Sequence, residues 1–372
     1  MLNLARLETF VLRCPIDTPV QTSFGIMRDR PAVFVRLTDT DGAQGWGEVW
    51  CNFPTVGAEH RARLLDSVFA PLLVGSRYEG PAAAFEDLSA RTEVLAIQSA
   101  EPGPIAQCIA GLDIALWDLH ARRLGQPLWR LLGGVSPDVP VYASGLNPTH
   151  PERLAAAQRA QGFRAFKLKV GFGRERDLAN LRALRETVGD DDLMVDANQA
   201  WDLDTAAAHA AAFSAFNLRW LEEPLRATRP WSEWQALSLR APMPLAAGEN
   251  LASTDAFGQA LDAHCLGVVQ PDLAKWGGFS GCLPVARRVL ARGVRYCPHF
   301  LGAGVGLLAS AHLLAAAGGG GLLEVDANPN PLRTATCGPV AQVVDGLVHL
   351  SERPGLGNEP DLTALSGLLV PH

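Results

Sequence analysis

Three acids set the frame of this chain. Asp196, Glu222 and Glu249 follow one another at intervals of 26 and 27 residues, each closing a short apolar run: Leu193-Met194-Val195, Trp220-Leu221 and Pro244-Leu245-Ala246-Ala247-Gly248. An apolar run that ends in a charge reads as a buried strand whose carboxyl end opens to solvent. Carboxylates on three such ends converge only if the strands are parallel neighbours. Like charges so placed repel unless a cation sits among them. An all-oxygen ligand set points to a hard divalent ion, Mg²⁺ before Zn²⁺. Upstream stand Lys167 and Lys169, two apart, so on a strand they point the same way.

The surrounding pattern has the same architecture. From Val141 onward short apolar runs alternate with Ala-rich helical stretches. Eight strands are expected, at 141–144, 164–169, 193–196, 219–222, 244–249, 267–271, 295–298 and 322–326. Gly162, Gly189 and Gly293 each stand between a helix and the next strand, where a glycine ends a helix well. Alternating βα units in this number predict a parallel barrel, with its chemistry at the carboxyl ends of the strands. Those ends read Lys167/Lys169, Asp196, Glu222, Glu249, Asp272, His299 and Glu324.

Residues 1–55 read as β, with a strand at 31–38, a turn at Thr40-Asp41-Gly42 and a returning strand at 45–50. Thr18–Arg30 is expected to be a polar loop. Helices are expected at 58–75, 79–93 and 104–123, the last with Ile105, Ile109, Leu112, Leu116 and Leu119 at helical spacing. Strands followed by helices predict an α+β domain. The expected organisation is a capping domain over 1–125, a barrel over 126–326 and a tail over 327–372. That tail is rich in Pro and Gly, has a hairpin near Asp345-Gly346 and returns to the first domain.

Composition excludes some partners. A formal charge of −7 and a sequence pI near 5.7 give no bulk attraction to nucleic acid or an anionic membrane. Seven cysteines show no CxxC or zinc-type spacing and read as reduced, cytosolic thiols. No signal peptide is read in Met1–Arg6 and no apolar run reaches membrane-spanning length, so a cytoplasmic location is expected.

Each strand-end acid alone could be an ordinary ion-pair partner; the joint spacing argues for a common metal. A lysine base must be neutral, and an ordinary lysine titrates near ~10.4. A second lysine and a nearby cation would lower that toward the ~7–8 suited to proton abstraction. His299 follows Cys297-Pro298, and Asp272 at the preceding strand end would fix its tautomer and raise its basicity. Glu324, if protonated, could donate a hydrogen bond to a substrate carboxylate. Asn198 and Glu223 read as neighbours of the ligands rather than ligands. Gly302-Ala303-Gly304-Val305-Gly306 lacks dinucleotide-binding spacing and reads as a tight loop opening a helix. No nucleophile elbow or P-loop is present.

Taken together, these residues resemble the enolase superfamily, mandelate racemase type. Ala110-Gly111-Leu112-Asp113-Ile114-Ala115-Leu116-Trp117-Asp118 through Leu131-Leu132-Gly133-Gly134 is similar to that family's signature where its two domains meet. Lys167-x-Lys169, Asp196-Ala197-Asn198, Glu222-Glu223-Pro224, Gly248-Glu249-Asn250, Pro271-Asp272 and Pro298-His299 are similar to its active-site motifs, in order. The resemblance implies a modified (β/α)₇β barrel under an α+β cap. It also implies Mg²⁺ on Asp196, Glu222 and Glu249, Lys169 as base on one face, and His299 with Asp272 on the other. Lys167 would tune Lys169 and contact the substrate carboxylate, with Asn198 and Glu324 beside the substrate. Muconate-cycloisomerase-like groups have a lysine where Asp272 stands; Lys275 is three residues further on and is expected to support the metal site.

The reaction implied is loss of the proton alpha to a carboxylate through an enediolate, a property general to that superfamily. It leads to dehydration or to racemisation or epimerisation of a hydroxy acid or acid sugar. Other readings are racemisation of an amino-acid derivative, a metal-dependent barrel hydrolase or aldolase, and a non-catalytic metal-stabilised scaffold. Substrate choice is expected to lie in Thr18–Arg30 and Trp50–Gly57. A homo-oligomer is implied by the resemblance alone.

Overall fold

A computed structural model describes residues 1–372. The chain opens with an antiparallel sheet. Strand β1 (Leu2–Gln21) pairs with β2 (Ile26–Asp39), β2 with β3 (Gln44–Val49), and β4 (Arg77–Tyr78) closes the far edge. Thr18–Arg30 is not a loop. Val20 pairs with Met27 and Gln21 with Ile26, so the strands run nearly to a tight turn at Thr22–Gly25. The Thr22 hydroxyl closes that turn by donating to the Gly25 carbonyl at 3.0 Å and accepting the Gly25 N–H at 3.0 Å. The helix expected at 58–75 is interrupted by a wide turn at Leu65–Phe69, just before Pro71, which cannot donate a helical hydrogen bond. Helices Pro81–Ser99 and Pro102–Arg123 pack against the sheet. Gly47 meets Gly111 so closely that an added Cβ would lie 2.0 Å from the Gly111 carbonyl oxygen.

Eight parallel strands follow: β5 (Asp138–Leu146), β6 (Ala165–Lys169), β7 (Asp192–Asp196), β8 (Leu218–Glu222), β9 (Leu245–Ala247), β10 (Val268–Val269), β11 (Arg295–Tyr296) and β12 (Leu323–Asp326). Seven helices alternate with them, giving a modified (β/α)₇β barrel. Its ladder runs from β11 back through β5 to β12. Between the two end strands, Leu322 N–H donates to Cys297 Sγ. The barrel floor is one layer of eight side chains drawn from each strand or its flank: Tyr142, Ala165, Met194, Trp220, Ala246, Val268, Cys297 and Leu322. A final strand, β13 (Leu347–His349), pairs antiparallel with the start of β5. The tail then reaches the capping sheet, where Val370 N–H donates to the Val11 carbonyl at 2.9 Å. All seven cysteines are free and buried, and no helix is long and apolar enough to cross a membrane.

Candidate active site

Strand alternation puts Lys167 and Lys169 inside the barrel, above its floor. Register then places the acids beside them: Lys169 pairs with Asp196 across β6–β7, and Asp196 with Glu222 across β7–β8. Glu249 sits just past β9, after Gly248, whose φ of +148° and approach to the Gln270 backbone leave no room for a Cβ. Asp272 and His299 follow β10 and β11, and Glu324 lies within β12. All of these side chains reach one mouth.

Their contacts alternate in sign. Lys167 Nζ lies 2.5 Å from Glu222, 2.7 Å from Glu324 and 3.9 Å from Asp196. Lys169 pairs with Asp196. His299 holds Asp272 at 2.7 Å through Nδ1 and Glu249 at 2.5 Å through Nε2. Lys275 stands 3.9 Å from Glu249, donates to Asn250 and lies over the Trp50 ring. Asn198 donates to Asp196 through its backbone and side-chain nitrogens, at 2.8 and 3.1 Å.

Electrostatics follow from these pairs. Burial, the strongest single influence on Lys169, pulls it down, but Asp196, Glu222 and Glu324 outweigh it and hold the ammonium above the ordinary lysine range. The sequence argument expected a lysine lowered by a second lysine and a nearby cation; here the acids are turned onto the lysines. Burial pushes Glu324 up, but Lys167 and His299 hold it below the usual carboxylate range. It takes N–H from Phe300 at 3.0 Å and O–H from Ser144. His299 is raised well above an ordinary histidine, against burial, by Glu249, Glu324 and Asp272.

No three acids or histidines close into a chelating cage, because each expected ligand is paired with a lysine or with His299. The donor set nevertheless fits a divalent cation. Six acids (Asp196, Glu222, Glu223, Glu249, Asp272, Glu324) face four cationic side chains (Lys167, Lys169, Lys275, His299), a deficit of two charges. Two buried oxygens there, Glu223 Oε2 and Asn198 Oδ1, have no partner. Burial and the nearby Glu249 and Asp196 raise Glu223 well above the usual carboxylate range, as expected of an acid short of a cation.

Sequence reasoning missed the residues that seat these acids. Gln270 donates to Glu222 at 2.6 Å, Trp220 donates to Glu222 at 3.1 Å, and the Tyr142 ring lies under Lys167. The signal was available. Trp220 stands two residues before Glu222 on β8, hence on the same strand face, and Gln270 two before Asp272, just past β10. Above the charges is a cavity of about 250 Å³, lined from the cap by Thr22, Phe24, Trp50 and Phe53 and from the barrel by Lys169, Lys275 and His299 among others. A larger cleft, about 780 Å³ beside Arg122, Arg123 and Arg353, is remote from this chemistry.

Comparison with known proteins agrees with the geometry. Residues 6–133 match the mandelate racemase / muconate lactonizing enzyme N-terminal domain, and residues 151–364 the enolase C-terminal domain-like family. The D-galactarolactone cycloisomerase of Agrobacterium fabrum is 30% identical, with both chains covered fully. The crystal structure of a mandelate racemase/muconate lactonizing enzyme from Bordetella bronchiseptica RB50 is 57% identical over 99% of each chain, with a TM-score of 0.94. A racemase from Streptomyces coelicolor A3(2), solved with bound magnesium, is 31% identical over 99% of this chain and 100% of its own, with a TM-score of 0.89. Other relatives are named as dehydratases of acid sugars and racemases of succinylated amino acids. With both halves matched and the barrel mouth built from the same residues as the motifs, the chain belongs to the mandelate racemase/muconate lactonizing enzyme family of the enolase superfamily.

Proposed function

We propose that this enzyme removes the proton alpha to a carboxylate of a small hydroxy acid or acid sugar, using a base on each face of the bound substrate. One observation supports this above the rest: Lys169, at the end of β6, and His299, which follows β11 and is held by Asp272, line the same cavity. Asp196, Glu222 and Glu249 would hold Mg²⁺, with Glu223 and Asn198 beside them. When bound, the ion supplies positive charge that offsets the charge developing on the substrate carboxylate.

The chain's own groups do the rest. Lys167, buried between Glu222 and Glu324, offers an ammonium to the substrate carboxylate. Lys169 takes or returns a proton on its face once Asp196 is committed elsewhere and ceases to hold that proton. Asp272 fixes the His299 imidazole through Nδ1; Nε2, now on Glu249, would be free for the substrate if Glu249 held the ion. Phe24, Trp50 and Phe53 exclude water from above. Proton return by the opposite face inverts the centre. Loss of a β-hydroxyl, protonated by His299, gives dehydration.

In this reading residues 1–125 form the cap, 126–326 the barrel and 327–372 the returning tail. The seven free thiols support a cytoplasmic setting, and Val94 and Ile97, exposed on one helix face, support homo-oligomeric assembly. The test is incubation of both stereoisomers of a panel of hydroxy acids and acid sugars in D₂O with MgCl₂. Deuterium should enter the alpha position and stop entering when the ion is chelated. Exchange that persists in excess chelator contradicts the reading.

A further inference from the structure

The Asp272–His299 dyad follows the two shortest strands of the barrel, β10 and β11, of two residues each. Beyond them Cys297 N–H donates to the Val269 carbonyl at 3.2 Å and His299 N–H to the Pro271 carbonyl at 3.3 Å, and the cap adds to this backbone pairing. The end of β3 and the residues that follow it, 48–52, run between the loop after Asp272 and the loop after His299. The Glu48 carboxylate, 2% exposed, accepts N–H from Ala303 at 2.5 Å and from Gly306 at 2.8 Å. Trp50 N–H donates to the Ala274 carbonyl at 3.4 Å, and Asn52 Nδ2 donates to the Leu301 carbonyl at 2.6 Å.

The packing leaves no slack. A Cβ on Gly302 would lie 2.7 Å from Glu48 Oε1 and 2.7 Å from Phe300 Cζ; one on Gly306 would lie 2.4 Å from Phe300 Cε2. Phe300, the residue after His299, is therefore wedged against two glycines that Glu48 grips. Its N–H is fixed in turn by Glu324. Neither Glu48 nor Asn52 lines the cavity. Holding an ionised Glu48 there is costly, since burial pushes its carboxyl up to about 7.

We propose that Glu48 and Asn52 are positioning residues: the cap segment they sit on, the end of β3 and the residues after it, holds the His299 imidazole against Asp272. This rests on the reading that His299 serves one face of the substrate. The test needs no substrate. In the full-length protein with saturating MgCl₂ and ¹⁵N-labelled histidine, the Nδ1 proton of His299 is assigned as the signal lost in His299→Asn. It should lie far downfield, as for a charge-assisted bond to a carboxylate. Glu48→Gln, which turns one acceptor oxygen into a donor, and Asn52→Ala should broaden or abolish that signal while leaving His312 unchanged. Simple helix capping would lower the melting temperature and leave the signal in place. An unmoved signal in Asn52→Ala overturns the proposal, whether or not Glu48→Gln folds. Because α-proton exchange is read separately, failure here leaves the proposed reaction standing, and failure there leaves this result interpretable.

Discussion

The two faces of the barrel mouth are built differently. On the lysine face, β6, β7 and β8 are five residues each, and β6 and β7 pair along their whole length, from Ala165–Asp192 to Lys169–Asp196. Strand register alone sets Lys169 beside Asp196. The cap touches this face lightly, through the Ser23 hydroxyl on the Asn198 carbonyl at 2.9 Å. On the histidine face the strands are two residues long. There the cap supplies Glu48, Trp50 and Asn52, and Asp113 accepts from the Ser280 N–H and hydroxyl at the start of the next helix. A long strand carries one side; on the other, sparse backbone pairing is joined by contacts from a second domain.

The largest effects should fall on the bases. Lys169→Ala and His299→Asn should each lower α-proton exchange on the order of 10²–10⁴-fold, each from the opposite stereoisomer. Equal losses from both isomers in either variant would break the distinction between faces. Next comes Lys167→Met, which leaves Glu222 and Glu324 buried without their cation. Urea unfolding should show a loss of about 3–5 kcal/mol, the cost of buried carboxylates left without a partner.

Acid should remove the contribution of one buried histidine on the histidine face. His312 lies on the helix Glu48 caps, accepts N–H from Trp129 at Nδ1 and donates from Nε2 to the Leu356 carbonyl. Burial lowers it from 6.5 to about 4. A depressed base contributes stability above its unfolded value, lost as pH falls through the folded one, so roughly 3 kcal/mol should disappear between pH 6.5 and 4. Glu48 and Asp113, both raised by burial to about 7, act in the opposite direction: their contribution is present at low pH and declines as pH rises through 7. The difference in unfolding free energy between wild type and His312→Gln isolates the histidine term; a difference that does not change with pH refutes it. The smallest contrast compares the two cap contacts. Ser23→Ala should change exchange by less than about threefold, and Asn52→Ala by more, a hydrogen bond to backbone being worth about 1 kcal/mol and the imidazole being displaced only in the second. Equal effects would erase the asymmetry.

Much of this was legible in the sequence because period and charge coincide. Lys167, Asp196, Glu222, Glu249, Asp272, His299 and Glu324 each stand at or just past an apolar run, and the eight runs are the eight strands. The turn at Thr22–Gly25 was not legible, because Thr18–Arg30 has polar residues where a hairpin projects beyond its sheet, and only pairing reveals the strands. Glu48 was passed over as part of a strand. Its role depends on Gly302 and Gly306, more than 250 residues away, and no local pattern links them. The pairing of Lys169 with Asp196 and of Lys167 with Glu222 and Glu324 was also out of reach, since it depends on which acid turns toward which cation.

The most direct measurement is a crystal structure of the protein soaked with Mn²⁺, read by anomalous scattering. The account predicts one peak at the carboxyl ends of β7, β8 and β9, within bonding distance of Asp196, Glu222 and Glu249, with Lys169 and His299 on opposite sides of it. A peak elsewhere, or Asp196 and Glu222 still paired with Lys169 and Lys167 and no ion among them, would contradict it.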